Sequence, residues 1–150
     1  GNPVIGTIIR SNTIGADKNG DALKNNLDGI HLDYAQNTSI GGSGVFKNLI
    51  AHNDGNGILV TGNTSSTGNN IHYNSIFENA LLGIALNNDG ITLNDPGDVD
   101  TGPNGLQNFP VITSAALNGA NLTVTGNFTG TNGVLYRLEF FNNTLYIGVD

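Results

Sequence analysis

The chain contains no cysteine, so neither a disulfide framework nor a thiolate metal site is available to it. Charge is scarce as well. Only 11% of the 150 residues are charged, and acidic groups outnumber basic ones by 12 to 5. With a net charge of −7 and no run of basic residues, electrostatically driven binding to nucleic acid or to anionic lipid is not expected. The longest apolar runs, Val4–Ile9 and Ala80–Leu86, fall far short of the roughly 20 residues that span a bilayer. No stretch carries a helical period. Nucleophile elbows, phosphate-binding loops and dinucleotide fingerprints are absent from the sequence too. Gly1-Asn2-Pro3 opens directly on strand-like sequence without a signal peptide, and the final residues break off within another strand-like run. Both ends are expected to be cuts through a longer protein.

What the chain has in abundance is glycine and asparagine, 22 and 25 residues, together about a third of the whole. Hydrophobic residues reach 37%, too many for a disordered chain. A fold with very many turns is therefore expected.

Three Gly-Ile steps, Gly29-Ile30, Gly57-Ile58 and Gly83-Ile84, stand 28 and 26 residues apart. Between them lie short alternating runs around Ile40, Ile50, Ile71 and Ile76, and an earlier partial copy shows in Ile9 and Ile14. Each run reads as a short strand with one buried face, separated from the next by Gly and Asn suited to sharp, left-handed corners. Three strands and three corners then make one coil. Stacked about 4.8 Å apart, successive coils align Ile30, Ile58 and Ile84 in one inward column and Leu32, Val60 and Leu86 in another. No single coil buries enough to stand alone, so stacking must hold the array.

The stretches Asn12–Asp21, Leu27–Ile30, Asn37–Gly42 and Asn48–Ile50 resemble bacterial right-handed parallel β-helix repeat proteins, a surface-protein group with a pectate-lyase-like fold. Asn94–Pro110 resembles the exit from such a helix into a small antiparallel β domain. The resemblance implies an all-β fold and an extracellular or cell-surface setting, but hardly any activity. A left-handed hexapeptide β-helix is the alternative; a period of 26–28 residues without six-residue sub-repeats argues against it. The expected organisation is parallel β-helix over 1–93, an acidic Pro/Gly connecting loop over 94–110, and a partial antiparallel sandwich-like module over 111–150. Its strands are expected at Val111–Ala115, Asn121–Gly126, Leu135–Phe141 and Thr144–Ile147.

Catalysis on a β-helix needs clustered acids, bases or cations on the outer face of stacked strands. With Ile30 and Leu32 inward, His31 and Asp33 point out. Their equivalents in later coils are Leu59 and Ala85, and Thr61 and Asn87, so no second carboxylate joins either column. Asp28, His31 and Asp33 are weak catalytic candidates, and a solvated surface pair is the plainer reading. On the neighbouring strand, Phe77 over Ala51 is a candidate apolar contact that full exposure of the ring would strengthen. His52 over Glu78 forms a candidate charge-assisted pair, with a plain surface ladder as the alternative. Asp95, Asp98 and Asp100 are the densest group of hard oxygen ligands and the candidate calcium site, although the loop lacks the bidentate Glu of an EF-hand. The competing reading makes these residues turn formers, as it does Asp17–Asp21 in the long corner 15–28.

Three functions remain open on the sequence. The chain is a non-catalytic extracellular segment, structural or adhesive, contacting a polysaccharide or cell-surface glycan; or part of a β-helix polysaccharide lyase or glycoside hydrolase; or a spacer. Further coils of the same chain are its expected neighbours.

Overall fold

The computed structural model describes residues 4–141. Eleven strands form in this span: β1 (Ile8–Ile9), β2 (Thr13–Ile14), β3 (Ile30–Asp33), β4 (Ser39–Ile40), β5 (Leu49–Ala51), β6 (Ile58–Thr61), β7 (Asn70–Ile71), β8 (Ser75–Phe77), β9 (Ile84–Leu86), β10 (Val111–Asn118) and β11 (Asn121–Asn127). The first nine assemble into three parallel sheets of three strands, ordered β1-β4-β7, β2-β5-β8 and β3-β6-β9. The chain therefore visits the three sheets in the same cyclic order each time, and its strands stack in parallel as in a β-helix. Among the described residues no helix is long and apolar enough to cross a membrane.

Register follows the repeat. Ile9, Ile40 and Ile71 pair in one sheet. Ile14, Ile50 and Ile76 pair in the second, and Ile30, Ile58 and Ile84 in the third. Their side chains enclose a core in which Ile40, Ile50, Ile58 and Val60 have no exposure at all. Strands this short make few ladder bonds, so β-branched side chains packed against their own equivalents supply much of the cohesion.

Asparagine has a different task from the one its turn propensity suggests. Asn12, Asn48 and Asn74 stack at one corner: each of the first two donates its backbone N–H and its side-chain amide to Oδ1 of the next, at 2.9–3.2 Å. Asn25, Asn53 and Asn79 form a second ladder, and Thr38, Asn69 and Asn104 a third. Asp28 heads a fourth by accepting both donors of Asn56, whose Oδ1 takes the N–H of Leu82. The left-handed conformation falls on the residue before the ladder: Ser11, His52, Tyr73 and Glu78 all have φ between 49° and 60°. The Asn after the bend donates its amide across it, to the carbonyl two residues back, at Asn12, Asn74 and Asn79. The buried amides of these corners thus find partners within the protein, whereas the buried Thr38 hydroxyl has none.

The glycines of the Gly-Ile steps also serve another purpose than left-handed geometry. A Cβ on Gly57 would stand 2.6 Å from the carbonyl oxygen of Gly83, and one on Gly29 2.7 Å from that of Gly57. Close approach between successive passes excludes a side chain there.

Beyond β9 the chain runs through the acidic loop to a short 3₁₀ turn, Pro103–Leu106, which lies against β6 and β9. β10 and β11 then pair antiparallel, with a register shift between Ile112 and Ser114. Both strands are almost entirely exposed. Among the described residues this pair is the only antiparallel sheet of the region. Leu135–Phe141, expected as a strand, forms none with any of the described residues. Its alternating polar residues are drawn to the stack: the Glu139 carboxylate accepts the Tyr73 N–H at 2.9 and 3.1 Å, and the Arg137 guanidinium lies 4.7 Å over the Tyr73 ring. The expected strand Thr144–Ile147 lies outside the described residues.

Candidate functional site

The outward face of β3 carries His31 and Asp33, and β6 brings Thr61 beside Asp33. The Thr61 hydroxyl donates to Asp33 Oδ1 at 2.9 Å and meets His31 Nε2 at 2.7 Å. A nucleophilic hydroxyl needs its proton drawn toward a base that a carboxylate orients from behind. Here the Asp33 carboxylate accepts the hydroxyl proton directly, so the trio is an ordered polar cluster without that relay order. Asp28 stands apart from it in the Asn56 ladder, where it serves the backbone.

Along the same face the chemistry changes abruptly. Leu59 and Ala85, which pair in register with His31, are each only 3% exposed, although alternation places them on the outside. The returning turn Pro103–Leu106 lies over these two strands. At the level of His31 the outward column is thus polar and exposed only on β3.

At the next corner His52 Nδ1 lies 3.2 Å from Glu78 Oε2, while Nε2 faces the Gly20 carbonyl of the long loop at 3.2 Å. Phe77 does pair with Ala51, but the His52 ring covers it edge-on at a centroid distance of 5.8 Å. Ala51 is buried and Phe77 half-buried, so the ring is no open platform.

In the exit loop, carboxylate oxygens of Asp95, Asp98 and Asp100 come within 4.8 Å of one another. The loop's own backbone uses part of this set: Asp95 Oδ2 accepts the N–H groups of Val99 and Asp100, and Asp98 Oδ1 that of Asn108. Buried Asn108 clamps the loop base by bonding both the N–H and the carbonyl of Asp95. Two oxygens, Asp95 Oδ1 and Asp100 Oδ1, are enclosed without any hydrogen-bond partner. Partial burial, and then the charges of Asp95 and Asp98, raise the Asp100 carboxyl above its ordinary range. Such a set suits a hard cation. By contrast Asp17 makes an ordinary turn, accepting the N–H groups of Asn19 and Asp21.

One cluster escaped sequence reasoning. Arg10 stacks 5.5 Å over the Phe46 ring and Arg137 over Tyr73, both at the corner between the first two sheets. Lys47 follows Phe46 directly and is exposed. Residues 127 positions apart in the chain have no common sequence signal. A cavity of about 660 Å³ lies beyond the last strands, with Ile71, Ile76, Ile84 and Leu86 as its floor and Phe109 and Phe141 on its walls. It continues the core upward.

No protein-family model matches the chain, and no solved structure gives a significant match.

Proposed function

We propose that the chain is part of a right-handed parallel β-helix of pectate-lyase-like type that serves as a non-catalytic scaffold, outside the cell or on its surface, and contacts carbohydrate. Parallel strands joined by crossover connections are right-handed with few exceptions, which supports the handedness. The observation that carries the non-catalytic reading is the outward column His31, Leu59, Ala85, where one polar group is succeeded by two buried apolar ones. A lyase or hydrolase needs acid and base groups facing one sugar bond, and the single trio His31–Thr61–Asp33 has its hydroxyl proton directed at the carboxylate. The test is incubation with a panel of polysaccharides, with and without calcium. Retention without cleavage is expected; product release that Asp33→Ala abolishes would overturn the reading in favour of a polysaccharide lyase or hydrolase.

A second reading concerns the exit loop, as a calcium site held by Asp95, Asp98 and Asp100. The two partnerless oxygens favour it. Calcium then raises the unfolding temperature of the native chain and leaves that of Asp100→Asn unchanged. Equal shifts in both proteins, or none, return the loop to a turn-forming role.

A further inference from the structure

The sequence shows no basic run, yet the fold gathers three of the five lysine and arginine residues, Arg10, Lys47 and Arg137, at one corner. Its three successive segments, Arg10–Asn12, Gly41–Asn48 and His72–Asn74, contain no carboxylate. Glu139 does reach this corner, where its carboxylate accepts the Tyr73 N–H. The remaining cations belong elsewhere: Lys24 pairs with Asp54 at 2.9 Å, and Lys18 sits in the long corner 15–28 against Asn19.

The two guanidinium groups are also pre-positioned. Arg10 lies on Phe46 while its Nε donates to the Gly41 carbonyl at 3.1 Å and its Nη2 reaches Ser39 Oγ at 3.4 Å. Arg137 lies on Tyr73 and bonds its hydroxyl. These contacts and the ring beneath limit each guanidinium's motion and leave its remaining in-plane N–H groups to an anion, so less entropy is lost when one binds. Phe46 and Tyr73 remain 48% and 42% exposed, open to a ligand's apolar surface. The stack sets Arg10, Lys47 and Tyr73, on which Arg137 rests, on successive levels about 4.8 Å apart, which suits an extended chain with acidic groups repeated along it.

We propose that this corner is a binding site for an acidic polysaccharide, its anionic groups held by Arg10, Lys47 and Arg137 and its sugar rings lying against Phe46 and Tyr73. The proposal rests on the glycan-contacting reading above and names both the surface and the ligand chemistry. A net acidic protein repels polyanions except at such a corner, so binding is to be sharply orientation-specific and salt-sensitive.

The test is native electrophoresis through gels containing alginate, dextran sulfate or neutral dextran, at low and high salt. Retardation by alginate or by dextran sulfate, lost at high salt and absent in neutral dextran, is expected; the retarding polymer identifies carboxylate or sulfate as the group bound. Lys47→Glu and Arg137→Gln each weaken retention about five-fold, while Lys24→Gln, at the acidic corner, leaves it unchanged. Circular dichroism checks that the variants fold. Equal retardation by neutral dextran, or equal loss in Lys24→Gln, overturns this proposal and leaves the carbohydrate-contacting scaffold standing. Retardation by none of the polymers, together with no retention on a wider glycan panel, overturns both.

Discussion

Asn53 sends both of its donors to a single atom of Asn79: the backbone N–H and the side-chain amide reach Oδ1 at 3.2 and 2.7 Å. The Asn53 side chain in turn accepts the amide of Asn25 at 2.8 Å, so one residue ties three levels of the stack together. Asn53 is 1% exposed, so bulk solvent does not reach it to replace a lost partner.

Asn53→Ala therefore orphans buried groups above and below, and is expected to destabilise the fold by about 1–3 kcal/mol in chemical denaturation. Asn70→Ala, on an exposed strand position, changes stability by less than about 0.5 kcal/mol. Equal effects would mean that asparagine matters here only through local turn preference.

The Gly-Ile steps provide a contrast within one motif. Gly57→Ala places a methyl group 2.6 Å from the Gly83 carbonyl oxygen and costs about 1–3 kcal/mol. Gly83→Ala meets only Ile76 Cγ2, at 3.5 Å, and is expected to be neutral or to stabilise by up to about 1 kcal/mol. Thermal denaturation of the two variants distinguishes close approach from backbone conformation as the reason for glycine.

Leu59 and His31 reverse the usual expectation for an outward column. Leu59→Ala costs about 2–5 kcal/mol, because the side chain is enclosed, whereas His31→Ala stays within about 0.5 kcal/mol. A mild Leu59→Ala would show that the turn Pro103–Leu106 lies loosely over β6 and β9.

Asp100 predicts a pH dependence. Its folded pKa is raised above the ordinary 3.8, first by burial and then by Asp95 and Asp98. The protonated form is thus favoured by folding: the stabilisation is complete below the unfolded value and disappears as pH rises through the folded one. Asp100→Asn is accordingly more stable than the native protein at neutral pH, and the difference vanishes as pH falls below about 3.8. A constant difference across the acid range would remove charge repulsion as its cause.

Which positions are equivalent between passes was legible from periodicity alone, because Ile30, Ile58 and Ile84 must share a face for any of them to be buried. The ladder function of Asn48 and Asn53 was not legible. A propensity scale records that asparagine favours turns, while the ladder depends on where the Cγ amide points relative to the next level. Exposure at Phe77 and Leu59 was equally hidden: the His52 ring lies edge-on against Phe77, and Leu59 is enclosed on a strand that the turn Pro103–Leu106 approaches from far along the chain. The cationic corner was missed for the same reason: Arg10, Lys47 and Arg137 are isolated charges until the chain has wound past them.

The ladders also decide how the protein ages. An asparagine followed by glycine is the pair most prone to deamidation, because the glycine nitrogen can swing onto the side-chain carbonyl carbon. At Asn56-Gly57 the amide is held by Asp28, its oxygen accepts from Leu82, and the Gly57 nitrogen is committed to the Leu82 carbonyl at 2.9 Å. Attack there requires the stack to open locally. Asn132-Gly133, in an exposed turn, and Asn118-Gly119, at the exposed end of β10, show no such bonds among the described residues, and exposed Asn19 has only local ones to Asp17 and Lys18. Chemical wear is thereby steered to the turns, and the asparagines that hold the levels together are the last to change.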